Sequence, residues 1–216
     1  MYAFRRVWLI WEFLLPLRNG IIAVYDIRRY FMRVDFGKKP WIYPQPVLII
    51  ATYDEDGNPD IMNAAWGGVG DDTQIFICMD PAHKTAKNIL ANRAFTVSVG
   101  TAEQLEACDY VGMVSGNEIS EKVRMSGLHI HKSEKVNAPI IDELPLCLEC
   151  EMISFDIEHC HLFGEIINAS VDDSILTDGA VDPKKLNPLI FDICNQNYYT
   201  LGEVAGPAFK SGLSRF

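Results

Sequence analysis

PVLIIATYDEDGNPDIMNAAWGG, residues 46–68, places two β-prone runs on either side of a dense turn signal. Pro46 to Thr52 is apolar without interruption, as expected of a strand buried on both faces. Asp54-Glu55-Asp56-Gly57-Asn58-Pro59 breaks it, and Ile61 to Trp66 resumes the strand pattern, so the pair reads as a hairpin. A hairpin this early commits the chain to antiparallel pairing. The spacing reads Gly67 to Asp72 as a loop.

Further strands are expected at Thr73–Met79 (TQIFICM), Ala94–Val99 (AFTVSV), Leu146–Ile157 (LCLECEMISFDI) and Leu162–Val171 (LFGEIINASV), the last two joined around Glu158-His159-Cys160-His161. HKTAKNILANR, from His83, is the one long helix, with Ala82, Ala86, Ile89 and Leu90 on one face. Shorter helices are expected at 103–110 and 119–125. The strand–helix–strand alternation of a parallel sheet is missing. The chain is therefore mainly β, an antiparallel barrel or sandwich with short helical insertions.

With 49% hydrophobic and 22% charged residues in 216, the chain can bury a core of its own. Its net charge of −10 argues against a nucleic-acid role, because phosphate backbones require a basic face. Residues 1–31 depart from the rest: five arginines stand against Glu12 and Asp26, a net of +3 that leaves −13 elsewhere. Two arginines precede the apolar stretch Val7–Leu17, which Glu12 and Pro16 interrupt and which falls short of the roughly 20 residues of a bilayer span. A surface anchor, a packed helix and a misplaced start codon compete here. The reading favours an N-terminal extension or false start over 1–31 and a domain over 32–216, Met32 being a natural beginning. The six cysteines, Cys78, Cys108, Cys147, Cys150, Cys160 and Cys194, lie in or beside apolar runs, which suits free thiols in a reducing, cytoplasmic setting.

Four segments carry candidate chemistry. In DPAHKTAKNI (80–89), Asp80 as N-cap with Pro81 gives an ordinary helix start. A helix beginning later, near Thr85, would instead offer free N–H groups, Lys84 and a hydroxyl to an anion. Asn63-Ala64-Ala65-Trp66 would let a flat ligand approach a strand backbone, with a carboxamide at one end and an indole at the other; the plain alternative is a strand ending at a core Trp. Gly112, Ser115 and Gly116, followed by Lys122, form a flexible loop with a donor and a cation. Cys147-Leu148-Glu149-Cys150 with His159, Cys160 and His161 invites a metal reading. Strand alternation, however, sends Cys147 and Cys150 to opposite faces, so no metal site is expected.

Taken in order, KPWIYPQPVLIIATYDEDGNPDIMNAAWGG, DPAHKTAKNI, ACDYVGMVSG with Glu121-Lys122, and YYTLGEVAGPAFKSGL resemble the flavin reductase-like proteins of the FMN-binding split-barrel fold, flavoredoxin-type members above all. The resemblance runs from Val34 to Leu213, and the family's usual beginning falls at Met32. It implies a six-stranded antiparallel Greek-key split barrel, a homodimer and one FMN near the subunit interface. Carried over by matching segment, Asn63 to Trp66 would lie along the flavin ring and ribityl chain. His83, Lys84 and Thr85 would hold the phosphate with Asn88 behind them. Ser115 and Gly116 would approach the ring with Lys122 beside it, and His161 would stand at the reactive face or its rim. No residue is assigned general acid–base catalysis. The implied activity is an FMN-dependent oxidoreductase fed by NAD(P)H or a redox protein, with a flavin-storing or redox-sensing protein as the alternative. No membrane association is implied for the core domain.

Overall fold

The computed structural model describes residues 33–215; the expectations for residues 1–31 lie outside the described residues. Residues 33–40 are an exposed stretch with one local turn, in which the Gly37 N–H donates to Asp35 Oδ1 at 2.8 Å. The folded body begins at Trp41.

Its frame is one antiparallel sheet of β1 (Leu48–Tyr53), β2 (Pro59–Ala64), β3 (Gly67–Asp71), β4 (Gln74–Cys78), β5 (Ala94–Val99), β6 (Leu146–Asp156) and β7 (His161–Val171). The spatial order is β2-β1-β5-β6-β7-β4-β3, curled into a half-barrel. Three helices matter for the site: α1 (Lys84–Asn92), α2 (Leu105–Met113) and α3 (Lys122–Ser126).

β1 explains the architecture. Leu48 and Ile50 join Ile75, Ile77, Phe95, Val97 and Leu162 in one core, which Ala86 and Ile89 of α1 close. Val47, Ile49 and Ala51 join Ile61 in a second core with Cys108 and Val111 of α2, Val123 of α3 and Leu189. A continuous apolar run is what such a two-sided strand requires. The register pairs Leu48 with Ala64 and Val99, so β2 and β5 flank it directly.

Among the described residues the sheet has seven strands where six were expected. Gly67–Asp71, read as a loop, pairs with β4 (Gly67 with Ile77, Val69 with Ile75). Glycine is a poor strand former, but a Cβ on Gly67 would stand 2.9 Å from both Leu48 Cδ1 and Phe76 O. Only a residue without a side chain lets the edge strand lie that close. β2 also stops at Ala64, short of Trp66, and α3 begins at Lys122 rather than at 119.

β6 and β7 form a long hairpin turned over residues 157–160, with bulges after Phe163 and Ile166. Cys150 lies opposite Phe95 in the first core, and Cys147 lies opposite Ser98 on the other face. Both thiols are free and buried, and burial pushes them up to about 11 (Cys147) and about 12 (Cys150). Near the C-terminus, a small sheet joins Gln45–Pro46, Ile190–Asp192 and Asn197–Tyr199. Its turn is organised by Asp192, which accepts hydrogen bonds from the Cys194 N–H (2.9 Å), Asn195 Nδ2 (2.7 Å) and the Tyr43 hydroxyl.

Candidate functional site

The start of α1 settles the ambiguity of DPAHKTAKNI in favour of neither expected cap. Asp80 caps a separate turn, accepting the Ala82 N–H at 2.8 Å through its carboxylate and the His83 N–H at 3.1 Å through its carbonyl. His83 is the N-cap of α1, with extended backbone (φ −62°, ψ 145°) and no side-chain bond into the helix. The first turn holds no acidic residue, and among the described residues no side-chain cap bond reaches its N–H groups. They form the positive end of a nine-residue helix, suited to an anion.

These groups border a cavity of about 240 Å³. Strand β2 supplies Asp60, Met62 and Asn63 to it; α1 supplies His83, Lys84 and Thr85; the end of α2 and the following loop supply Gly112, Ser115 and Gly116; α3 supplies Lys122. The loop is latched to the start of α1, because Asn117 Nδ2 donates to the Ala82 carbonyl at 3.1 Å and Lys87 Nζ donates to Asn117 Oδ1 at 3.0 Å. Gly112 lets α2 close on β2, since a Cβ there would stand 3.0 Å from the Asn63 Cβ. Asn63 Nδ2 fixes the same contact by donating to the Cys108 carbonyl at 3.0 Å.

Charge within the cavity is paired. Lys84 Nζ stands 3.1 Å from Asp54 Oδ2 near the rim. Burial tends to raise the Asp54 carboxyl, but hydrogen bonds from Asn58 and Lys84 outweigh it and hold the group below its ordinary value. Deeper in, Lys122 Nζ stands 3.9 Å from Asp60 Oδ1, and Asp60 also accepts the Thr85 hydroxyl. Burial pushes the Lys122 ammonium down, and Asp60 partly offsets that push. The hydroxyl proton of Thr85 is therefore already committed, and toward a ligand this residue offers its backbone N–H. Lys122 also stands at the α1 end of the cavity, on the same carboxylate as Thr85.

A second cavity of about 250 Å³ shares Asn63, Gly112 and Met113 with the first and adds Ala65, Asp109, Phe191 and Tyr198. The Tyr198 hydroxyl donates to Asp109 Oδ1 at 2.8 Å, and burial with that carboxylate raises the phenol to about 12. The Phe191 and Tyr198 rings stand 5.8 Å apart. The two spaces adjoin at the three shared residues, and the pair, termed the groove, is polar at α1 and aromatic at Tyr198.

Of the residues singled out from sequence, Asn63, His83, Lys84, Thr85, Ser115, Gly116 and Lys122 meet in the first cavity, and Ala65 lines the second. Four lie elsewhere. Ala64 packs in the first core. Trp66 is 48% exposed at the end of the β2–β3 connection. Asn88 is buried on α1, and its Nδ2 has no hydrogen-bond partner among the described residues. His161 opens β7 with its ring edge-on to Phe76, 5.1 Å between centroids. Sequence reasoning gave no role to Asp60, nor to Asp109 and Tyr198, although the last two lie in the quoted motifs. Asp60 did leave a signal: it shares a face of β2 with Met62 and Ala64, which face the core, so a carboxylate there needs a partner.

His159 is tied to Asp156 at 2.8 Å, and among the described residues no three His, Cys, Asp or Glu side chains are placed to hold a metal. No helix among the described residues is long and apolar enough to cross a membrane.

Known proteins share this fold. Residues 41–201 match the family model of the flavin reductase like domain. Flavoredoxin of Desulfovibrio vulgaris (Miyazaki F) superposes with a TM-score of 0.80 at 34% identity, over 84% of this chain and 100% of that one. Flavoredoxin from Methanosarcina acetivorans gives 0.78 at 27% identity, over 86% and 100%. An uncharacterised Escherichia coli (strain K12) protein, YddH, is 27% identical over 153 residues, 67% of this chain and 80% of its own length. By its match to the family model and by its fold, this chain belongs to the flavin reductase-like domain family.

Proposed function

We propose that the chain is an FMN-binding oxidoreductase of the flavin reductase or flavoredoxin type. The observation that carries this reading is the uncapped start of α1 bordering a polar cavity, with an aromatic cavity adjoining it at Asn63, Gly112 and Met113. A flavin mononucleotide has that polarity, an anion at one end and a flat ring at the other. The residues fit it: the first-turn N–H groups of α1 with His83, Lys84 and Ser115 would hold the phosphate, and the β2 backbone from Asn63 to Ala65 would run beside the ring. When bound, the flavin supplies the electron-accepting ring chemistry, and the protein supplies orientation and field. Gly112 and Met113 wall both cavities, so the end of α2 would exclude water from one side of the ligand. NAD(P)H or a redox protein would feed the electrons, a second copy of the chain would complete a homodimer, and the six free thiols suit a reducing cytoplasm.

The test is the visible spectrum of protein purified without added cofactor, followed by titration with FMN. A colourless protein that also fails to bind added FMN would sink the proposal. In Lys84→Ala/Thr85→Ala, loss of one charge-assisted contact, about 1.5–3 kcal/mol, should weaken FMN binding by about tenfold or more. Wild-type affinity in that variant would remove the phosphate from α1. Anaerobic NADH or NADPH should bleach the bound flavin; absence of bleaching would leave a carrier fed by a protein partner.

A further inference from the structure

The cations at the α1 end of the groove are cancelled, and the two pairs differ in kind. Lys84 and Asp54 lie toward solvent, with side chains 32% and 17% exposed, where water and salt screen them. Asp60 and Lys122 are 4% and 3% exposed and stay unscreened. Asp60 also takes the one hydroxyl proton of Thr85, which leaves only lone pairs of that oxygen for any other partner. A phosphate dianion, which accepts and does not donate, gains nothing from them. A buried carboxylate beside an anion site acts against the phosphate and leaves the neutral parts of a ligand untouched.

We infer that Asp60 is a specificity-determining residue: by cancelling Lys122 inside the cavity, it holds down the preference for phosphorylated over unphosphorylated flavin. The inference rests on the flavin-binding reading above. It makes riboflavin as well as FMN a ligand of this groove, and it assigns the discrimination between them to one charge.

The dissociation constants of FMN and riboflavin are measured by flavin fluorescence on the full chain and on Asp60→Asn. The carboxamide keeps the size of the side chain and an oxygen for Thr85 but removes the charge. The ratio of the riboflavin constant to the FMN constant should rise by about tenfold or more, since the ligand phosphate becomes the counter-ion of Lys122. Both affinities moving together at a constant ratio is what a merely structural residue would give, and it overturns the inference. Because the substitution leaves Lys122 buried without a partner, Lys122→Met and Asp60→Asn/Lys122→Met are measured as well. The double variant should return the ratio to near the wild-type value, about tenfold above Lys122→Met. Equal ratios in those two variants would also overturn it. If wild type binds neither flavin, the flavin reading falls and this inference with it; binding with an unmoved ratio removes the inference alone.

Discussion

Gly116→Ala tests the geometry of the first cavity at its tightest point. A Cβ at this position would lie 2.2 Å from Asp60 Oδ1, 3.0 Å from Asp60 Cγ and 3.2 Å from Lys84 Cγ. Asp60 cannot simply swing away, because Thr85 and Lys122 hold its carboxylate and β2 holds its backbone. Moving it by the ångström or so needed gives up the bond from Thr85, and a hydrogen bond to a charged group contributes about 1.5–3 kcal/mol. For a chain of this size, each kcal/mol shifts Tm by about 2–4 °C. The variant should therefore melt about 3–12 °C below wild type in a ligand-free thermal scan, and FMN affinity should fall with it. Gly68→Ala is the control: a Cβ there meets nothing within 4 Å, and Tm should stay within about 1–2 °C. A Gly116→Ala protein that melts with wild type would refute the claim that Asp60 is fixed, and with it the paired-charge description of the cavity.

Phe95→Ala removes a fully buried ring from the first core and should cost about 3–5 kcal/mol, read as a fall in the denaturation midpoint at unchanged m-value. Near pH 8, a thiol reagent should modify the exposed Cys194 first, with Cys147 and Cys150 reacting only after denaturant is added; early labelling of either would contradict their burial. Tyr198 keeps its proton up to about pH 12 in the fold, while an unfolded tyrosine loses it near 10. The folded state thus binds more protons in that window, so stability falls as pH rises from 10 to 12, and Tyr198→Phe should flatten this part of the curve. An unchanged slope in that variant would count against the Tyr198–Asp109 bond.

What could be read from the sequence was what neighbours along the chain decide. The uninterrupted run around Ile49 announced a strand covered on both faces, and the 46–68 hairpin announced antiparallel pairing. The strand at Gly67–Asp71 was hidden, because its glycines look like a loop until Leu48 and Phe76 are seen pressing on them. The helix start was hidden for a related reason. Asp80-Pro81 has good capping chemistry, but that chemistry serves a turn, and the cap passes to His83. Most of the first cavity was legible because its residues come from three short motifs. Asp60 showed only that it needed a partner, and which one was hidden, since Thr85 lies 25 residues away, and Tyr198 reaches Asp109 across 89 residues. Position along the chain carries no mark of such contacts.

Among the described residues, the first cavity is lined by residues 60 to 122 alone, whereas β6 and β7 of the sheet come from residues 146 to 171. A ligand held there ties β2, α1 and α3 to one another without touching the long hairpin. Binding there therefore raises the free energy of local opening directly in that stretch of chain, and reaches the hairpin only through the pairing of β5 with β6 and β4 with β7. The loaded protein becomes unevenly stable, its middle segment the last to come apart.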